Sequence, residues 1–143
     1  MRNFIPLAVL LIMSSPVLAQ DEDLTLASAL AQGGAILKAD DLLKSLDGNT
    51  ASGFTPLWSW DVYFKTDGSL VMRGSSRAGT GAKGIDTGFW RVEPSGRFCQ
   101  MLDQWGGTCA ETTVKLGDGF YRFKENGGFQ AFFKLLPGNA EGL

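Results

Sequence analysis

The feature that most constrains this chain is its punctuation. Beyond residue 48, glycine-containing turn pairs recur at Asp67-Gly68, Ser95-Gly96, Gly106-Gly107, Asp118-Gly119 and Asn126-Gly127. Such pairs tolerate positive φ in tight hairpins, so the segments flanking each are expected to pair as antiparallel neighbours. Between the turns, apolar and polar side chains alternate. In Trp58–Lys65, the residues Trp58, Trp60, Val62 and Phe64 fall on one face, and Ser59, Asp61, Tyr63 and Lys65 on the other, the period of a half-buried strand. The pattern predicts eight strands, near 50–55, 58–65, 69–75, 86–93, 97–102, 108–116, 119–124 and 129–136, in up-and-down order. Closing such a meander removes its unpaired edges. The expected fold is therefore mainly β: a small antiparallel, calycin-like barrel of about eight strands preceded by a short helix. An open sheet curled over that helix is the alternative.

Helical character is confined to residues 24–46. Leu24–Leu30 is rich in Ala and Leu, and Ala39–Leu46 carries Asp40 and Asp41 in its first turn, with Gly48 placed to end it. Gly33-Gly34 separates the two pieces. The pattern leaves open whether the first piece packs on the domain or stays mobile. The expected organisation is a leader over 20–36, helical or flexible, and a single β domain over 37–143.

Ahead of these lies a signature of export. Arg2 supplies a positive start, Ile5–Met13 an apolar run and Val17-Leu18-Ala19 a small-residue cleavage site before Gln20, the order of a cleavable signal peptide over 1–19. A membrane-spanning helix needs about 20 apolar residues, and Ser14, Ser15 and Pro16 interrupt this run. No membrane span is expected after signal removal. The remaining 124 residues suit one domain, and their 12 basic against 15 acidic side chains give a net charge of −3. That balance gives no footprint for nucleic acid or anionic lipid. The chain is expected to work in the periplasm of a Gram-negative bacterium or as a secreted protein.

Export changes the reading of the two cysteines. In an oxidising compartment an even count in a small domain favours a disulfide. If Asp103–Trp105 forms a hairpin tip, Leu102 pairs with Gly106, Met101 with Gly107 and Gln100 with Thr108, and Cys99 lies opposite Cys109. A cross-strand bridge is expected.

Little here points to catalysis. The chain contains no histidine, which removes Ser-His and Cys-His nucleophilic constellations and the commonest transition-metal ligand. A carboxylate pair drawn from Asp61, Asp86, Glu93, Asp103 or Glu111 remains possible in space, but spacing selects none. No catalytic residue, metal ligand or cofactor is assigned. Gly79-Thr80-Gly81-Ala82-Lys83-Gly84 matches a dinucleotide-binding string without the strand–turn–helix context that string requires. It reads as part of a loop over 74–84. Arg73, Arg77 and Lys83, in or beside that loop, are candidates to close on an anionic ligand.

The aromatic residues carry more. Trp58, Trp60, Phe64, Trp90, Phe98, Tyr121, Phe123, Phe129 and Phe133 are placed inward by alternation, and so large a set either fills a small barrel or lines a pocket in it. Trp58, Trp60 and Trp90 are the candidate pocket residues. Trp105, at the hairpin tip, is a candidate anchor for a ligand or partner, or a flap folded over the barrel mouth.

In several short segments the chain resembles a group of small exported alphaproteobacterial proteins, a calycin-like domain family of unknown function. These segments are Gly48-Asn49-Thr50, Tyr63-Phe64-Lys65-Thr66-Asp67-Gly68, Gly88-Phe89-Trp90-Arg91-Val92, the two cysteines and Pro137-Gly138-Asn139-Ala140-Glu141-Gly142-Leu143. The resemblance spans about 37–143 and implies location and fold, with no catalytic residue. The function expected is a non-enzymatic binding module for a small apolar or amphipathic ligand, or for an exported partner protein. An exported protease-inhibitor-like or assembly factor, acting through its acidic N-terminal segment, is the alternative; a carboxylate-based enzyme ranks last.

Overall fold

The computed structural model describes residues 22–143; the expected signal peptide and cleavage site lie outside the described residues. Two short helices, α1 (Leu26–Ala31) and α2 (Ala39–Leu46), flank a two-residue strand β1 (Ala35–Ile36). Nine strands follow: β2 (Thr50–Phe54), β3 (Trp58–Phe64), β4 (Ser69–Ser76), β5 (Lys83–Val92), β6 (Phe98–Leu102), β7 (Gly106–Ala110), β8 (Thr112–Leu116), β9 (Gly119–Phe123) and β10 (Phe129–Leu136). The strands form one antiparallel sheet in the order β1-β8-β9-β10-β2-β3-β4-β5-β6-β7. From β2 to β7 the order is that of the chain, so the mainly β, up-and-down architecture holds, as a curled half-barrel.

The number of strands rises from the expected eight to ten for two local reasons. β1 adds at the edge of β8, and the segment read as one strand over 108–116 is split at Glu111. β7 pairs only with β6, whereas β8 pairs with β9, so a single bent run of chain bridges the two ends of the ladder. Its outer flank at β7 stays unpaired among the described residues, and there the half-barrel is open.

A second difference concerns the stretch over 74–84 that reads as a loop. β4 reaches Ser76 and β5 starts at Lys83, with Gly74 paired to Gly84 in the ladder, so the turn is only 77–82. Glycines that look like loop residues are strand residues here, and their missing side chains are used.

The rest positions these elements. Thr25 caps α1, its hydroxyl accepting from the Ser28 N–H, which satisfies a donor left over at the helix start. Asp47 is the C-cap of α2, and Gly48 reverses the chain at φ +73°, where a Cβ would be strained. Leu42 and Leu46 of α2 join Val62, Phe64, Leu70, Trp90 and Phe98 in the core inside the curl. A second core lies behind β8–β10, where Leu24 and Ala29 cover Val114, Tyr121, Phe123, Phe129 and Phe132. α1 therefore packs on the domain. It also corrects the inward placement of Tyr121, Phe123 and Phe129, which are buried on the opposite face, under α1. β9 is buried on both faces as a result.

The segments Gly48-Asn49-Thr50 and Pro137–Leu143 meet in space. The buried Thr50 hydroxyl donates to the Gly138 carbonyl and accepts from the Ala140 N–H, while Asn49 Oδ1 accepts from the Gly138 N–H. These bonds tie the C-terminal tail across the start of β2.

Candidate functional site

The open flank of the half-barrel is a groove of about 380 Å³ between β7 (Gly106, Thr108) and the start of β10 (Gln130, Ala131). Its apolar walls include Trp58, Trp60, Met72, Leu102 and Trp105, and its polar lining comprises Thr55, Gln100, Thr108, Arg122 and Gln130. A concave, mostly apolar site with a few converging polar groups is the usual form of a small-ligand pocket.

Trp105 reaches the groove because of the two strand glycines. Its ring lies over Gly74 and Gly84; a Cβ added at Gly84 would stand 3.2 Å from the indole. The hairpin that carries it is held in two ways. The predicted register is observed, from Leu102 opposite Gly106 to Cys99 opposite Cys109, and the two cysteines form the expected disulfide. Asp86, 3% exposed on β5, accepts the Gln104 and Trp105 N–H groups on Oδ2, each at 2.9 Å, and the Thr87 N–H on Oδ1. Burial pushes the Asp86 carboxyl upward, but these three donors outweigh it and hold its pKa below the ordinary value. The tip is folded back and pinned, leaving Trp105 45% exposed at the groove wall.

At Arg122 the balance is reversed. Arg122 is 3% exposed, its Nη1 donates to Gln100 Oε1 at 3.0 Å, and its guanidinium stacks 4.6 Å from the Phe98 ring centroid. Its Nε and Nη2, and Nε2 of the buried Gln100, have no partner among the described residues. No described carboxylate pairs with it, and burial lowers its pKa from the ordinary arginine value to about 10. Buried donors are nearly always satisfied, and an unpaired buried cation is costly.

The residues singled out in the sequence separate into four places. Trp58, Trp60 and Trp105 line the groove. Trp90 sits in the core, edge-on to Phe64, its indole N–H donating to the Lys65 carbonyl. The three cations near the glycine-rich turn are elsewhere. Arg73 and Lys83 line a shallow trough on the outer face of β2–β5, where Arg73 pairs with Asp61 and Glu141. Arg77 donates to the Thr55 carbonyl and pairs with Glu22. None of these three lines the groove; the cation there is Arg122. Sequence reasoning passed over Arg122 although a signal was present. Gly119–Phe123 has aromatic residues on both faces of a strand, and a charge within such a strand must be buried.

The carboxylates weighed as an acid–base pair each have structural partners. Asp61 binds Arg73, Asp86 the hairpin amides, Asp103 the Thr87 hydroxyl, and Glu93 and Glu111 flank Arg97. Among the described residues, no three His, Cys, Asp or Glu side chains converge as a metal-binding group, and no helix is long and apolar enough to cross a membrane.

No family model matches the chain. Among curated proteins it is similar to the bifunctional protein GlmU of Lactobacillus gasseri, with 30% identity over 119 residues, 79% of this chain and 26% of that protein. The chain thus spans about a quarter of the length of the curated relative it matches.

Proposed function

We propose that this protein is a non-enzymatic binding module, working in the periplasm or outside the cell, that holds a small amphipathic ligand in the groove at the open flank of its half-barrel. The observation that carries the reading is the contrast between the groove's apolar tryptophan walls and the unpaired buried donors of two residues that line it. A cavity that served only as imperfect packing would not concentrate both at one place. The disulfide supports the export part of the reading, since such bonds persist in oxidising compartments. Binding is favoured over catalysis because the chain has no histidine and its candidate carboxylates are engaged structurally. An inhibitor-like role through a free N-terminal arm has less support: from Leu24 onward that segment is packed, with Leu24 and Ala29 buried and the Leu26 N–H bonded to the Gly127 carbonyl.

The test is a titration of the purified, oxidised protein with N-phenyl-1-naphthylamine, an uncharged apolar probe, followed by its fluorescence enhancement. Saturable binding of one probe per chain is expected, weakened in Gly84→Val, whose added side chain intrudes on the Trp105 seat. Non-saturating uptake, or binding untouched by that substitution, removes the groove as the site.

A further inference from the structure

Resting on that reading of the groove, we infer that its ligand carries one carboxylate, received by the Nε–Nη2 edge of Arg122 with the Gln100 side-chain amide as a third donor. Nη1 is occupied by Gln100 Oε1, which leaves Nε and Nη2. These two donors lie side by side on one edge of the planar guanidinium, in the fork that matches the two oxygens of a carboxylate. Gln100 Nε2 is the adjoining unpaired donor, and both residues line the groove.

Charge limits the ligand further. Arg122 is the one charged side chain among the described residues lining the groove, while Arg73 and Arg77 are engaged by carboxylates outside it. A single negative charge neutralises a single buried cation, whereas a dianionic phosphate would leave one charge uncompensated in an apolar site. The tryptophan walls then define the remainder of the molecule as an apolar body. The ligand class is an amphipathic monocarboxylic acid, bound head-inward at Arg122 with its body along Trp58, Trp60 and Trp105.

The inference is tested by titrating the oxidised protein with decanoate, decanol and decyl phosphate, following tryptophan fluorescence and confirming stoichiometry by calorimetry. Decanoate is expected to bind at least about tenfold more tightly than decanol, the worth of hydrogen bonds to a charged group, and more tightly than decyl phosphate. Arg122→Met should bring decanoate down to the affinity of decanol. Arg122→Lys, which keeps the charge but not the fork, should retain part of the preference. Equal affinity for decanoate and decanol overturns the carboxylate and leaves the groove as an apolar site. Stronger binding of decyl phosphate, or a preference that survives Arg122→Met, also overturns it. Failure of all three ligands to bind removes the groove reading itself. The decanoate–decanol comparison on the unsubstituted protein decides the matter even if Arg122→Met does not fold.

Discussion

The two ends of the half-barrel use the same ladder and the same kinds of side chain, and they are finished differently. At the end closed by α2, Leu42, Leu46, Phe64, Leu70 and Phe98 are almost fully buried against one another, and Trp90 has a carbonyl for its indole N–H. At the open end, glycines replace side chains at Gly74 and Gly84, Trp105 covers them from a neighbouring hairpin, and Arg122 and Gln100 keep unpaired donors. The closed end is a packed core with its polar group satisfied. The open end gives up packing and hydrogen bonds, a pattern expected of a functional site supported by a stable scaffold. The difference locates stability in one end of the barrel and recognition in the other.

Substitutions at the two ends should therefore act with different size and sign. The largest effect is expected for Phe64→Ala in the closed end, a loss of about 3–5 kcal/mol in urea unfolding, because surrounding aromatic rings hold the cavity open. A comparable loss at Trp58→Ala would erase the distinction between the ends. The Cys99→Ser/Cys109→Ser double variant should lose about 2–3 kcal/mol, since the bridge closes a short loop. It should also loosen the Trp105 hairpin, read as faster amide exchange at residues 103–105.

Smaller and opposite in sign is the expected effect of Arg122→Met in the unliganded protein. Removing a buried, unpaired cation should leave stability unchanged or raise it by about 1 kcal/mol; a loss comparable to that of Phe64→Ala would make Arg122 a structural residue. The smallest effect is local and depends on pH. The Asp86 carboxyl has its folded pKa below the ordinary value of 3.8, so its grip on the Gln104 and Trp105 amides is complete above that value. The grip is lost only as the pH falls through the lower folded value. Trp105 emission should be constant from neutrality down to about pH 4 and shift below it. In Asp86→Asn the shifted emission should appear at every pH.

Much of the architecture was legible because its causes are local. The period-two alternation of Trp58–Phe64, the glycine turn pairs and the acid-first, glycine-last pattern of Ala39–Leu46 each act within a few residues. The disulfide followed from one hairpin register. The groove was not legible in that way. Gly74 and Gly84 carry no local sign that a tryptophan twenty or more positions onward in sequence will lie on them. Likewise, alternation places Tyr121 and Phe123 on one face of β9, yet says nothing of α1 covering that face.

The antiparallel, up-and-down β architecture, the α2 boundaries and the Cys99–Cys109 pairing are written along the chain, because turn chemistry and side-chain alternation act between near neighbours. Three outcomes came from the assembled layers instead: β7 leaves a flank open, the cations of the glycine-rich turn do not line the groove, and Arg122 does. Those outcomes depend on how the sheet curls and on what covers each of its faces, and burial of a charge is a property of the assembled layers rather than of any single strand.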